Sequence, residues 1–371
     1  MEESLDTMKD HLYERVLDKI KTRKSRVASG LVNSIPWPFA RFGEEVVGLE
    51  KGKIYQVTAG PKAGKSKFTN FMFVYSVYDY IITHQLPTKL IVKYFCLEES
   101  KESLIAQFMS YVLFTKSKGK IIVSQEALMS TKKELPEAVI TELEKHSEYI
   151  KGFLESVEYI EDVYHPFGIY KNLLDHAEAN GTQTKKKVMY GDKEQEVDDV
   201  FIPSDPEELV LTVVDHVSLL SHKNASLQDA ITQLSGFLIV LRNKYGYSSV
   251  IVQQQALAQT SIEGIKFNQG EPTIAGLGDS KLTSRAIDIS FGIYSPFYNK
   301  IPDYEDYDIK YYKDNIRFVS VLLSRHGGLG TKAALYFNGA VNYFNELPIR
   351  NSKEEAAMYK KITQLRKNEI K

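Results

Sequence analysis

One stretch constrains this chain more than any other: Ile54-Tyr55-Gln56-Val57-Thr58-Ala59-Gly60-Pro61-Lys62-Ala63-Gly64-Lys65-Ser66. It opens as an alternating strand and breaks at Gly60-Pro61. It then runs into an apolar-periodic segment, Phe68 to Ile82, that predicts a helix. Strand, glycine-bearing loop, Gly-Lys-Ser and helix, in that order, form the context a phosphate-binding loop requires. Successive backbone N–H groups, with the positive end of the helix behind them, make an anion cradle along Ala59, Gly60, Pro61, Lys62, Ala63, Gly64, Lys65 and Ser66. Lys65 is expected to reach the terminal phosphates of a nucleotide, and the Ser66 hydroxyl to bind Mg²⁺. Ala59 replaces the usual first glycine with another small residue.

The 371 residues suffice for one large α/β domain with appendages, or for two small ones. With 47 basic against 48 acidic side chains the formal charge is −1, so no global basic field draws the chain onto nucleic acid. Any such contact must come from local loops or from a surface made by assembly. The single cysteine, Cys96, excludes an intrachain disulfide and suits a reducing compartment. The opening Met-Glu-Glu carries no signal-peptide pattern, and no apolar run approaches membrane-spanning length.

Residues 1–28 read as an amphipathic helix with Leu5, Met8, Leu12, Val16 and Ile20 in one stripe. The stripe must be buried, either against its own domain, the more economical expectation, or on a neighbour. Pro36-Trp37-Pro38 is rigid and extended; a short strand and the turn Gly48 to Gly52 are expected after it. Lys89 to Phe95 is an apolar strand that ends in Cys96-Leu97-Glu98-Glu99, where open α/β sheets place their crevice. Ser100 reads as a helix start, and Glu99 as a charge favourable at that helix's N-terminus. Residues 115–178 read as helices interrupted by the strand Val157 to Ile160.

The polar segment 180–206 predicts an inserted, exposed hairpin turned at Gly191-Asp192. Its Lys185-Lys186-Lys187 run is followed at once by the acidic run Glu194 to Asp199, which favours a solvated hairpin over a nucleic-acid contact. Leu209 to Asp215 is a buried strand ending in an acid, the Walker B pattern, whose carboxylate orients Mg²⁺ and its waters. A helix from Leu227 to Lys244 leads to the strand Ser249 to Val252, and Gln253-Gln254-Gln255 point from its end into the same crevice. Strands follow at Ile287 to Tyr294 and Arg317 to Leu323. After the glycine-rich turn Ser324 to Thr331, further strands run through Phe344. Residues 29–350 thus read as one ATPase domain, and 351–371 as a charged helical tail.

Taken together, these motifs resemble the RecA-like motor domain of replicative hexameric helicases of the DnaB type. Phe95-Cys96-Leu97-Glu98-Glu99-Ser100-Lys101-Glu102 is similar to the family's FSLEMSxE segment, which implies that Glu98 polarises the attacking water. Val213-Val214-Asp215-His216-Val217-Ser218-Leu219-Leu220 is similar to IDYLQLM, with Asp215 as the Walker B acid. Val252-Gln253-Gln254-Gln255 is similar to LSQ, whose glutamine senses the γ-phosphate; the match selects Gln255. Arg325 to Thr331, followed by Ala334 to Phe337 and Tyr343-Phe344, is similar to RNGPTGT…LxF…xRF. That match implies an arginine finger at Arg325, entering the neighbouring subunit's ATP site.

The departures are specific. Leu323 stands where the family has lysine. The DNA-loop signature LRESG becomes Leu277-Gly278-Asp279-Ser280-Lys281, which leaves Gly278, Asp279 and Lys281 as the nucleic-acid candidates. The helical domain that docks primase has no counterpart, and the helix at 1–28 takes the place of the linker helix that latches onto an adjacent subunit. The resemblance implies a RecA-like P-loop NTPase, α/β, with a mostly parallel twisted sheet flanked by helices. It further implies ATP and Mg²⁺ as cofactors, single-stranded DNA and other replication proteins as partners, and a homo-oligomer, a hexameric ring by preference. No membrane is expected; the cytoplasm of a bacterial or phage-infected cell is. The expected function is an ATP-dependent, DnaB-like replicative DNA helicase. A filament-forming recombinase of the RecA or phage kind, and a non-motor nucleotide-binding scaffold or loader, are the alternatives.

Overall fold

In this computed structural model the described residues are 2–190, 193–221, 225–256, 261–277 and 281–370, with the backbone alone for 2–12, 189–190, 262, 281–282 and 368–370. In chain order the strands are β1 (Ile54–Ala59), β2 (Lys89–Cys96), β3 (Ile122–Val123), β4 (Val157–Ile160), β5 (Gly181–Tyr190) and β6 (Lys193–Pro203). Then come β7 (Glu208–Asp215), β8 (Ser248–Gln254), β9 (Ile289–Tyr294), β10 (Asp303–Tyr304) and β11 (Tyr307–Asp308). The last four are β12 (Ile316–Ser324), β13 (Lys332–Asn338), β14 (Tyr343–Glu346) and β15 (Glu369–Ile370).

Nine of them form one sheet in the order β14-β13-β12-β9-β1-β8-β7-β2-β4. From β9 to β4 every neighbouring pair is parallel, while β12, β13 and β14 extend the sheet antiparallel. The sequence explains the division. β1, β7 and β8 are buried on both faces along almost their whole length, as strands under helices on both sides must be. One face packs on the helical segment 65–83 through Phe68, Phe71, Met72 and Val74. The other packs on the Leu227–Tyr245 helix through Ile231, Leu234, Leu238 and Leu241. The antiparallel extension has its own core, which Met358, Ile362 and Leu365 of the Lys353–Asn368 helix complete. The expected RecA-like, mostly parallel α/β sheet is therefore the fold observed.

Two local expectations are corrected and a third, the helix after the phosphate loop, is observed with a local widening. Between Pro38 and Gly48 the chain forms the short helix Ala40–Glu45 in place of a strand, because Phe39 and Phe42 turn inward to the same core. The helix after the phosphate loop widens to i→i+5 bonding over Asn70–Tyr75. The N-terminal helix, Glu2–Ala28, does not fold back: Val16 is 51% and Ile20 58% exposed, and every described side chain on it is exposed or partly so. It is fastened near its C-terminal end, where Arg23 pairs with Glu50 at 2.8 Å and Arg26 with Glu207. The inserted hairpin is β5–β6; its expected Gly191-Asp192 turn lies outside the described residues.

Candidate nucleotide-binding site

β1 delivers the chain to the C-terminal edge of the parallel sheet, and residues 60–64 turn it back into the helical segment 65–83. The turn is possible because Gly64 sits at φ +92°, where a Cβ would be strained; Lys62 takes the left-handed region as well, at φ +61°. The loop lines a cavity of about 750 Å³ together with Glu98, Glu99, Lys67 and Arg317. β2 and β7 end side by side, Cys96 opposite Asp215, so Glu98 and Asp215 arrive at the same edge.

Their geometry is tight. The Ser66 hydroxyl donates to Asp215 Oδ1 at 3.1 Å, and the Tyr94 hydroxyl donates to Oδ2 at 3.1 Å. Burial pushes the Asp215 carboxyl up to about 6, partly offset by the Ser66 hydrogen bond and the Lys65 charge. A carboxylate that burial penalises is a carboxylate that gains from a nearby dication. Among the described residues, three or more His, Cys, Asp or Glu side chains nowhere gather as a metal cage. Mg²⁺ does not need one, since it keeps waters and takes nucleotide oxygens. Ser66 and Asp215 fit that chemistry.

Glu98 is half exposed, with its Oε2 3.7 Å from Lys65 Nζ and 3.4 Å from His216 Nε2. Its neighbour Glu99 is spent locally, accepting hydrogen bonds from the Ser103 hydroxyl at 2.8 Å and from the Gln107 amide. The two adjacent glutamates thus differ in their partners: Glu98 lies beside the Lys65 ammonium, and Glu99 is bonded to the helix that follows it.

Gln255 is placed differently from a side chain free to meet a phosphate. Its Nε2 donates to Thr58 Oγ1 at 2.9 Å and to the Thr273 carbonyl at 3.0 Å, and its Oε1 accepts from the Thr273 N–H at 3.2 Å. It ties the strand under the phosphate loop to the segment that precedes the nucleic-acid candidates. Of those, Gly278 and Asp279 lie outside the described residues, as does the side chain of Lys281.

Arg325 stands at the opposite end of the sheet. Its N–H bonds the Asp288 carbonyl at 3.0 Å, level with the start of β1, and its guanidinium donates to the carbonyls of Ile287 at 3.0 Å and Arg285 at 2.6 Å. The six-residue strand β1 separates the two ends by about 17 Å. Arg325 cannot serve its own chain's phosphate loop.

Sequence reasoning missed Tyr94, which orients Asp215, and Arg317, which the loop itself engages. Arg317 was visible as a cation opening an apolar strand, but its partner Ala63 is 254 residues away.

No family model matches the sequence, and no curated protein matches it. Among solved structures the chain is similar to one described as an ATPase domain. The TM-score is 0.63 at 16% identity, over 91% of this chain and 98% of that one. It is also similar to a DnaB-like replicative helicase described with its interactions with primase. Here the TM-score is 0.62 at 16% identity, over 90% of this chain and 66% of that one. At these identities the likeness concerns the fold: this chain has the RecA-like P-loop ATPase fold of a DnaB-like helicase ATPase domain.

Proposed function

We propose that this chain is the motor subunit of a DnaB-like replicative helicase, a ring ATPase that translocates on single-stranded DNA. The observation that supports it best is the convergence of Lys65, Ser66, Glu98 and Asp215 at one end of the sheet, with Arg325 at the other, away from its own chain's loop. In this reading Lys65 holds the terminal phosphates and Glu98 takes the proton of the attacking water. Mg²⁺ bound by Ser66 and oriented by Asp215 would neutralise developing charge on the phosphates. Arg325 acts on the neighbouring copy's site, so the active site is completed only by assembly. Residues 29–350 are the motor, 1–28 the latch between copies, and 351–371 a tail packed on the antiparallel extension.

The test is ATP turnover by the full chain with and without single-stranded DNA. Stimulation by the strand is expected. Turnover indifferent to any nucleic acid supports a nucleotide-dependent scaffold instead. Open filaments in negative stain with a non-hydrolysable ATP analogue support a recombinase.

A further inference from the structure

Arg317 is 1% exposed, the largest fully buried side chain among the described residues. A guanidinium in that setting is expensive, because burial strips the water from a permanent charge; burial lowers its pKa accordingly. Apolar side chains of similar volume fill such positions at lower cost, so its contacts matter. Nη2 donates to the Asp314 carboxylate at 2.7 Å, and Nη1 to the carbonyls of Asp314 and Ile316 at 2.8 Å each. These bonds are local and fix the fork. Nε alone reaches away, donating to the Ala63 carbonyl at 2.7 Å. Ala63 belongs to the phosphate loop.

The guanidinium lies 4.4 Å from the centre of the Phe337 ring. The same ring also abuts the loop: a Cβ added at Gly64 would stand 3.6 Å from its Cζ. A second tie runs from Lys67, one residue past Ser66, whose ammonium donates to the Gly339 carbonyl at 2.5 Å. The phosphate loop is therefore braced from β12 and β13, strands that carry none of the catalytic candidates at this end. A trans peptide directs its C=O and N–H to opposite sides. Holding the Ala63 carbonyl therefore turns the Gly64 N–H to the other side of the loop, and the cation polarises that peptide so that its N–H is a stronger donor.

We propose that Arg317 is a positioning residue for nucleotide binding, which sets the Ala63–Gly64 peptide in the orientation the phosphate cradle requires. The proposal rests on the nucleotide-binding reading of residues 59–66. The test compares Arg317→Gln and Arg317→Lys in the full chain, by Mg·ADP titration and ATP turnover, with Lys65→Ala as control. Arg317→Gln should lose roughly tenfold to a hundredfold in Mg·ADP affinity, and Arg317→Lys, which keeps the charge and one donor, roughly threefold to tenfold. KM should rise in step. A merely structural role would instead reduce the folded fraction, lowering kcat per mole with KM unchanged, and that result overturns the proposal. Should Arg317→Gln fail to fold, Arg317→Lys decides alone. Parent-like affinity in either folded variant, with binding lost in Lys65→Ala, overturns the role of Arg317 and leaves the site standing. Parent-like binding in Lys65→Ala overturns both.

Discussion

The Ser66 hydroxyl and the Asp215 carboxylate meet at 3.1 Å although 149 positions separate them in the chain. This contact joins the start of the helix after the phosphate loop to the end of β7. A second hydrogen bond, from Tyr94 on β2, holds the other carboxylate oxygen. The acid is thus oriented by two hydroxyls while buried, an arrangement suited to a bound cation and unfavourable without one.

Asp215→Asn should separate stability from function. Burial raises the Asp215 carboxyl from 3.8 to about 6, so the folded state prefers its protonated form. The stability this group contributes is full below pH 3.8 and is lost as pH rises through about 6. At pH 8 the nucleotide-free Asn variant should melt no lower than the parent, and up to about 3 kcal/mol of electrostatic penalty is removed. Stabilisation by Mg²⁺ with nucleotide should disappear, and in the parent it should weaken as the pH falls below about 6. Thermal unfolding at pH 5.5 and 8, with and without Mg·ADP, checks all three. A nucleotide-free Asn variant that melts several degrees below the parent at pH 8 would count against this account.

Glu98→Gln should bind ATP and hydrolyse it on the order of a hundredfold more slowly, as loss of a general base does. Glu99→Gln should change turnover little, because its partners are Ser103 and Gln107 of the helix that follows it. Stopped-flow turnover on both variants decides. Reversed effects would move the base to Glu99.

The parallel half of the fold was legible because its strands are apolar runs punctuated by glycines and acids. Ala59-Gly60 and Val214-Asp215 signal both the strand ends and their chemistry. What stayed hidden depends on tertiary partners. Phe39 and Phe42 make a helix of Ala40–Glu45 only because a core exists to receive them. The stripe at Val16 and Ile20 reveals a helix, and sequence alone cannot tell a self-packed face from an exposed one. Arg317 and Tyr94 act through residues hundreds of positions, or over a hundred, away. The Gln255 hydrogen bonds depend on Thr273, which no local pattern marks.

Gln255→Ala should uncouple the two ends of its hydrogen-bond bridge. Nucleotide affinity should stay near that of the parent, since the Gln255 side chain bonds Thr58 and Thr273, while its bond to the loop, from its backbone N–H to the Ala59 carbonyl at 2.9 Å, survives the substitution. Stimulation of turnover by single-stranded DNA should fall by roughly tenfold. The readout is the ratio of stimulated to basal rate; an unchanged ratio removes Gln255 from the coupling path.

Replacing Lys185, Lys186 and Lys187 together with alanine should leave DNA binding intact. The run is already paired across the hairpin, Lys185 with Glu196, Lys186 with Asp199 at 3.0 Å and Lys187 with Glu194 at 3.0 Å. Lys281→Ala should weaken binding and flatten its salt dependence, because fewer counterions are released. Fluorescence anisotropy on a labelled single strand across a salt series tests both. Loss of affinity in the triple-alanine variant, with Lys281→Ala unaffected, would reverse the assignment.

Arg325 lies at the far end of the sheet from its own phosphate loop, clasped by the carbonyls of Arg285 and Ile287. If it stabilises charge on another copy's γ-phosphate, Arg325→Ala should bind ATP normally and lose turnover by ~10³-fold. Lys65→Ala should be inactive for the complementary reason. A mixture of the two contains interfaces that pair an intact loop on one chain with an intact Arg325 on the next, so activity should partly return on mixing. Deleting residues 1–28 should weaken that rescue, since the exposed Val16 and Ile20 stripe would no longer reach a neighbour. Native mass spectrometry establishes that the two variants co-assemble. A co-assembled mixture as inactive as its components removes the trans-acting finger, and with it the main reason to read this chain as part of a ring.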